Sequence, residues 1–301
     1  MSEGSVTRFL FEHLNIRGAI VRLEGCWQAM QQGRQYAPTI ARLLGEMAAV
    51  TALIAAQLKQ AGWLTFQLCG PAQSPVSRLV MDCDEQLRLR GMAQTRSVDA
   101  CDLATLGVPQ LLGADQGGQL MLSLDTPDAR QPYQSFVPLA GDSIAQIFGH
   151  YLEQSEQQEA RLFLAADETA AGCLFLQKMP GADALDADGW TRIGHLAATL
   201  KAEELLQSSP PALLQRLFPE EIHHGETHDK GVRLFEARPV VYHCPENREK
   251  IADMLRALGQ QEAENILAEH GEIVIRDDIC NREYRFTAQE VAELFARTTL
   301  Q

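Results

Sequence analysis

The sequence predicts an α+β protein: a large N-terminal mixed domain with an antiparallel sheet and helices (residues 1–180), a helical linker (181–240) and a small α+β C-terminal module (241–301). Three observations lead there. Between residues 64 and 124 apolar and polar side chains alternate in short runs, the period of strands with one wet face. Other stretches place apolar residues three or four apart, the period of amphipathic helices. Finally, 301 residues exceed what one ordinary core needs, and the last sixty carry a complete pattern of their own.

Taken in order, a strand is expected around Gly18 to Leu23, then a helix from Pro38 through Leu58 that Gly62 stops. Proline is tolerated in the first turn because its missing N–H would have had no intrahelical partner. Strands follow at Leu64–Leu68, Leu87–Arg90 and Leu120–Leu124, the last after the Gly117-Gly118 turn. Asp142 or Ser143 caps a helix whose Ile144, Ile147, Phe148, Tyr151 and Leu152 share a face expected to lie across the sheet. Strands at 161–166 and 173–178 close the domain near Pro180, and this set is expected to fold alone.

Residues 181–240 change in texture. They hold scattered aspartates, a helix with Ile193, Leu196, Ala197 and Leu200 on one face, the Pro210-Pro211 break and a polar stretch from Pro219 to Lys230. The apolar face must be covered, so this region is expected to pack on the first domain at least part of the time. In the last sixty residues Ile251, Met254, Leu255 and Leu258 form one helix face, a shorter helix ends at Gly271, and strands 272–275 and 283–286 flank a turn. Thr287 and Glu290 form a capping box for a final helix with Val291, Leu294 and Phe295. A module this small usually needs a staple or a larger partner.

A formal net charge of -14 leaves no basic stripe for phosphates, which argues against nucleic acid as a partner. The most apolar run, Met47 to Ala56, is too short to cross a bilayer, so no membrane partner is expected. The N-terminal residues lack a basic segment followed by an apolar one, and a cytoplasmic location is the expectation. The cysteines are Cys26, Cys69, Cys83, Cys101, Cys173, Cys244 and Cys280, an odd set without Cys-x-x-Cys, which argues against a disulfide framework. Cys69 and Cys173 sit among apolar residues and read as small buried hydrophobes. Nucleophile elbows, phosphate-binding loops, dinucleotide fingerprints and zinc-protease motifs are missing, so no enzyme is expected. The pairs Glu203-Glu204 and Glu220-Glu221 read as solvated helix faces, and His223, His224 and His228 as loop histidines without supporting ligands.

Several segments together carry a resemblance: residues 8–18 (RFLFEHLNIRG), 151–156 (YLEQSE), 201–206 (KAEELL), 216–218 (RLF) and 266–273 (ILAEHGEI). In their order, and in the sequence of large domain, helical linker and small module, the chain resembles the 33 kDa heat-shock protein family of redox-regulated holdase chaperones. The resemblance implies unfolded or partly folded client proteins as partners and dimers of the activated form.

That family is similar throughout in a Cys-x-Cys and a later Cys-x-x-Cys that bind one zinc when reduced. Here the first reads Cys244-Pro245-Glu246 and the second Asp277-Asp278-Ile279-Cys280, so carboxylates replace two of the four thiols. Four thiolates make a closed tetrahedral zinc site whose paired oxidation releases the metal, and carboxylates cannot be oxidised in that way. Three readings stay open. Cys244, Glu246, Asp277 and Cys280 form a weaker zinc site, with His243 as a spare ligand; Cys244 and Cys280 form one redox disulfide; or the module is held by packing alone.

The function expected is therefore a holdase that prevents aggregation, with redox control weakened or lost. Ile193, Leu196 and Leu200 are the guess for a client-binding face that alternates between covered and exposed. The other reading is a thiol or metal sensor that relays redox state to a specific partner.

Overall fold

In chain order the computed structural model, which describes residues 4–58, 61–96, 100–222 and 231–296, begins with the hairpin β1 (Gly4–Phe11) and β2 (Ile16–Leu23). Helices α1 (Gly25–Gln31) and α2 (Pro38–Ala55) follow, then strands β3 (Trp63–Cys69), β4 (Val76–Asp84) and β5 (Arg88–Thr95). Short helices α3 (Ala100–Thr105) and α4 (Val108–Leu112) lead to β6 (Gln119–Asp125) and β7 (Tyr133–Pro138), helix α5 (Ile144–Glu156), and the pair β8 (Ala160–Ala166) and β9 (Ala171–Lys178). Five short helices come next: α6 (Ala182–Leu185), α7 (Gly189–Ala197), α8 (Ala202–Gln207), α9 (Pro210–Leu217) and α10 (Pro219–Ile222). Short strands β10 (Val232–Leu234), β11 (Arg238–Pro239) and β12 (Val241–Tyr242) finish the first compact unit, Met1–Tyr242. The second, His243–Gln301, holds α11 (Arg248–Leu258), α12 (Gln260–His270), β13 (Ile273–Asp277), β14 (Arg282–Phe286) and α13 (Ala288–Ala296).

The first unit has two sheets, ordered β10-β1-β2-β9-β8, with β11 also on β1, and β12-β5-β4-β3-β6-β7. The pairs are antiparallel except β12 with β5. Helix α2 packs on strands of both sheets, and its Leu43, Leu44, Met47 and Leu53 join Val21, Phe175, Phe66 and Met81 in one core. It is long and apolar enough to cross a membrane by length and composition alone, yet most of it is buried inside the protein, as suits a core helix. Close approach demands a glycine here: a Cβ on Gly45 would lie 2.6 Å from the Cβ of Ala166. Thr51 turns its hydroxyl back to the Met47 carbonyl at 2.7 Å, which satisfies a polar group in an apolar surround.

Several expectations are met, and others are corrected. Ser143 caps α5 by accepting from the Gln146 N–H at 3.2 Å, and the Thr287–Glu290 capping box forms. Strand β3 has the expected wet face, but the β1–β2–β9 sheet is covered on both faces, so β9 is buried almost throughout. A two-sided strand loses its period-two signal, and β4, buried from Leu79 to Asp84, escaped notice for this reason. Helix α2 ends at Ala55, three residues before the expected Leu58. In the second unit Met254 and Leu258 are exposed, because Ile251 and Leu255 alone of that face meet the small core.

Residues 181–240 do not stand apart from the first domain. Helices α7 to α10 cover the outer face of the β1–β2–β9 sheet, and β10 and β11 extend it at β1. A chain ending near Pro180 would leave Phe9, Phe11, Ile20 and Leu174 without the second core that those helices complete.

One partly buried carboxyl on α2 generates a pH dependence. Burial pushes the Glu46 carboxyl from 4.5 up to about 7, with Arg42 only partly opposing it. Between these values the folded protein binds more protons than the unfolded chain, so this group's contribution to stability falls as pH rises through the window. The cost above pH 7 is about 3 kcal/mol. Glu46→Gln is expected to raise stability by up to that amount in urea melts at pH 8 and by little at pH 4; an equal gain at both would contradict the assignment.

Candidate functional site

Strands β1, β2 and β9 alternate, and the alternation gives their sheet two apolar faces. Val6, Ala19, Val21 and Phe175 join the interior core with α2, while Phe9, Phe11, Ile16, Ile20, Leu174 and Leu176 form the opposite face. This outer face is roofed by Trp190, Ile193 and Ala197 of α7, Leu205 and Leu206 of α8, and Leu213, Leu214 and Leu217 of α9. Phe11 lies edge-on to Phe9 with centroids 5.5 Å apart and edge-on to Phe218 at 5.1 Å, an aromatic row running from sheet to roof.

None of the roof helices is long enough to be stable by itself, so packing rather than propensity holds them. Polar ties fix their placement. Glu221 is almost fully buried, and its carboxylate accepts from Arg192 Nε at 2.9 Å while its other oxygen meets His13 Nε2 at 2.6 Å. Arg192 also donates to Asp186 at 2.9 Å, so one guanidinium joins the segment before α7 to α10. Burial alone would raise the Glu221 carboxyl, but hydrogen bonds and charge from Arg192 and His13 outweigh it and hold the group below its ordinary value. This corrects the reading of Glu220-Glu221 as a solvated face; the pair sits where a four-residue helix turns one carboxylate inward. Glu204 fits that reading better, half-exposed and paired with Arg216 at 2.8 Å.

Further ties come from the sheet side. Arg22 donates to the carbonyls of Leu206 and Ser208 at 3.1 and 3.0 Å, and Trp190 donates its indole N–H to Glu159 at 2.8 Å. Arg161 stacks over the Trp190 ring at 4.7 Å and lies so close to α7 that a Cβ on Gly194 would overlap its guanidinium. Of the three client-binding candidates, Ile193 is fully buried in the roof, and Leu196 and Leu200 are half-buried against the same core. Sequence reasoning missed their opposite number, Phe9 and Phe11 on β1, because no strand was expected there.

The cysteine constellation lies wholly in the second unit. Cys244 and Cys280 are joined as a disulfide with Cα atoms 5.6 Å apart, inside the usual range. Asp277 ends β13 and its Oδ1 accepts the backbone N–H groups of Ile279 and Cys280 at 3.0 and 3.2 Å, which folds the hairpin turn. Glu246 is exposed on the short segment before α11, and His243 is half-buried. Among the described residues no three His, Cys, Asp or Glu side chains gather as a metal site. With two sulfurs bonded to each other and Asp277 committed to the turn, the donor set does not fit a closed four-coordinate zinc. His223, His224 and His228 lie outside the described residues.

Elsewhere Cys26, Cys83 and Cys173 are buried, and desolvation pushes the Cys83 and Cys173 thiols far up, which makes them inert. Cys69 is only half-buried and accepts from Gln67 at 2.9 Å, so it is not the fully buried hydrophobe expected.

The chain matches the family described as "Hsp33 protein" over residues 4–287. It is 39% identical over 290 residues to the 33 kDa chaperonin of Methylobacillus flagellatus, covering 96% of this chain and 93% of that protein. The corresponding protein of Chromobacterium violaceum is 37% identical over 289 residues, with coverage of 96% and 92%. In fold it is similar to the crystal structure of the 33 kDa chaperonin from Thermotoga maritima, with a TM-score of 0.77 at 22% identity and coverage of 99% and 100%.

Three outcomes are expected, two from the ties of Glu221 and one from the bridge of the second unit. Glu221→Ala leaves Arg192 and His13 without their carboxylate and should cost the roof about 3 kcal/mol, read as faster proteolysis within 182–222; protection equal to the parent protein would show that packing alone holds it. Because the Glu221 carboxyl is held below 4.5, its contribution is full above that pH and lost as acid protonates it in the folded state. Reducing the bridge, which closes a separation of 36 residues, should destabilise the second unit by about 4 kcal/mol. Hydrogen exchange with and without reductant checks this, since protection should fall in 243–296 and not in the first unit.

Proposed function

The chain belongs to the Hsp33 protein family, molecular chaperones rather than enzymes, and on that footing we propose that it is a cytoplasmic holdase that binds unfolding proteins through the apolar face now roofed by α7 to α10. The observation that carries this reading is the second core. A contiguous set of Phe9, Phe11, Ile16, Ile20 and Leu174 is covered chiefly, among the described residues, by helices too short to persist once they leave it. Opening the roof would present both surfaces together, the sheet face and the helix face with Ile193, Leu196 and Leu200. Unfolded clients expose apolar segments, and such a face would take them without regard to sequence.

Redox control in this reading is reduced to the single Cys244–Cys280 bridge. A module held by four thiolates on zinc loses its folding energy when the ligands oxidise. Here the bridge is compatible with an intact hairpin and a closed core of Ile251, Leu255, Ile273 and Phe286, so oxidation staples the second unit instead of releasing it. Activation then comes from heat or mild denaturant that opens the roof, and self-association of the opened form follows from the same exposed face.

Light scattering of a heat-aggregating client, with and without peroxide, tests the proposal. Suppression on warming, equal in both conditions, is the expected result. A protein inactive on warming and fully active with peroxide alone would overturn it, and suppression in neither condition would favour a thiol sensor.

A further inference from the structure

Beyond the C-terminal end of α2 the interior face of the β1–β2–β9 sheet is not filled. A cavity of about 650 Å³ opens there, within the size range of small-molecule sites. Its floor is apolar, made by Leu53 of α2 and Phe175 of β9, both buried, and by the short side chains of Ala19 and Ala56 that leave the space. Its mouth is cationic. Arg8 and Arg17 face it from β1 and β2, and Arg238 from β11.

Among the described residues no carboxylate lines this cavity, in a chain whose net charge is -14. Arg238 donates to two neutral acceptors, the carbonyls of Ala56 at 2.9 Å and Glu85 at 2.6 Å. The Arg8 guanidinium lies 5.7 Å from the centre of the Phe235 ring, and among the described residues neither it nor Arg238 has a carboxylate at ion-pair distance. Arg17 is held by Gln177 and Gln57 and has Glu156, itself half-exposed, at 3.6 Å. Two guanidinium charges, Arg8 and Arg238, thus stand without a carboxylate among the described residues over an apolar floor, an arrangement that suits a planar anion carried on a hydrocarbon chain.

We propose that this cavity binds a single-chain amphiphilic carboxylate, a long-chain fatty acid, with the chain on Leu53, Phe175 and Ala19 and the carboxylate between Arg8 and Arg238. The site opens on the side of the sheet opposite the roof helices, and Phe9 is the one residue that its lining shares with the roofed core. Occupancy would tie β11 to the end of α2 through the ligand, adding to the two carbonyl contacts that Arg238 already makes.

Fluorescence titration of the full chain with cis-parinaric acid at resting temperature tests this. One molecule should bind per chain, oleic acid should displace it, and methyl oleate, which keeps the chain and lacks the charge, should not. Arg8 is exposed, so Arg8→Glu should leave the melting temperature unchanged while weakening binding about tenfold or more; Arg17→Gln gives a second, milder reading should the first variant misfold. Equal displacement by methyl oleate, unchanged affinity in both variants, or several molecules bound per chain would overturn the proposal. Preference for oleyl phosphate over oleate would overturn the carboxylate assignment, and displacement by an apolar peptide with a free C-terminus would assign the cavity to protein segments instead.

Discussion

A β-sheet that is apolar on both faces cannot stand in water, and the first unit is built around that constraint. Strand β9 is the centre of it, buried from Ala171 to Gln177 with Cys173 and Phe175 on one side and Leu174 and Leu176 on the other. Each fully buried side chain of this size contributes about 1.5–3 kcal/mol, so neither face can be left open without a large loss. One face takes an eighteen-residue helix, α2, buried nearly all round between two sheets. The other takes a mosaic of short helices.

These two solutions differ in what they permit. Helix α2 is embedded in the main core and cannot leave without unfolding the unit. The roof is made of pieces of four to nine residues, fixed by Glu221, Arg192, Arg22 and Arg216 as much as by leucines. Such a layer is stable only as a set, and a set with several polar ties opens more readily than a continuous helix. On the proposed reading the family's chaperone role falls on this apolar face, whose cover is built from short helices.

In the second unit, carboxylates in place of two thiols change what oxidation can do. A thiolate contributes to folding through a metal and withdraws that contribution when oxidised. Asp277 instead contributes through two backbone hydrogen bonds that oxidants do not touch, and Cys244 and Cys280 have only each other. On the proposed reading, oxidation would fasten this module where it would unfold one held by four thiolates on zinc.

The α+β class, the cap at Ser143, the Thr287–Glu290 box and the autonomy of the last sixty residues were legible in the sequence because each rests on local spacing. Residue type also made plain that carboxylates, Glu246 and Asp277, accompany the thiols Cys244 and Cys280. Strand β4 was not legible, because residues buried on both sides carry no alternation to read. Nor was the role of Glu221: beside Glu220 it looks like any solvated carboxylate, and only the return of α10 to the β1–β2 turn sets it against His13 and Arg192. Tertiary structure alone decided that residues 182–222 are a roof, because an amphipathic pattern states that a face must be covered and leaves open which partner covers it.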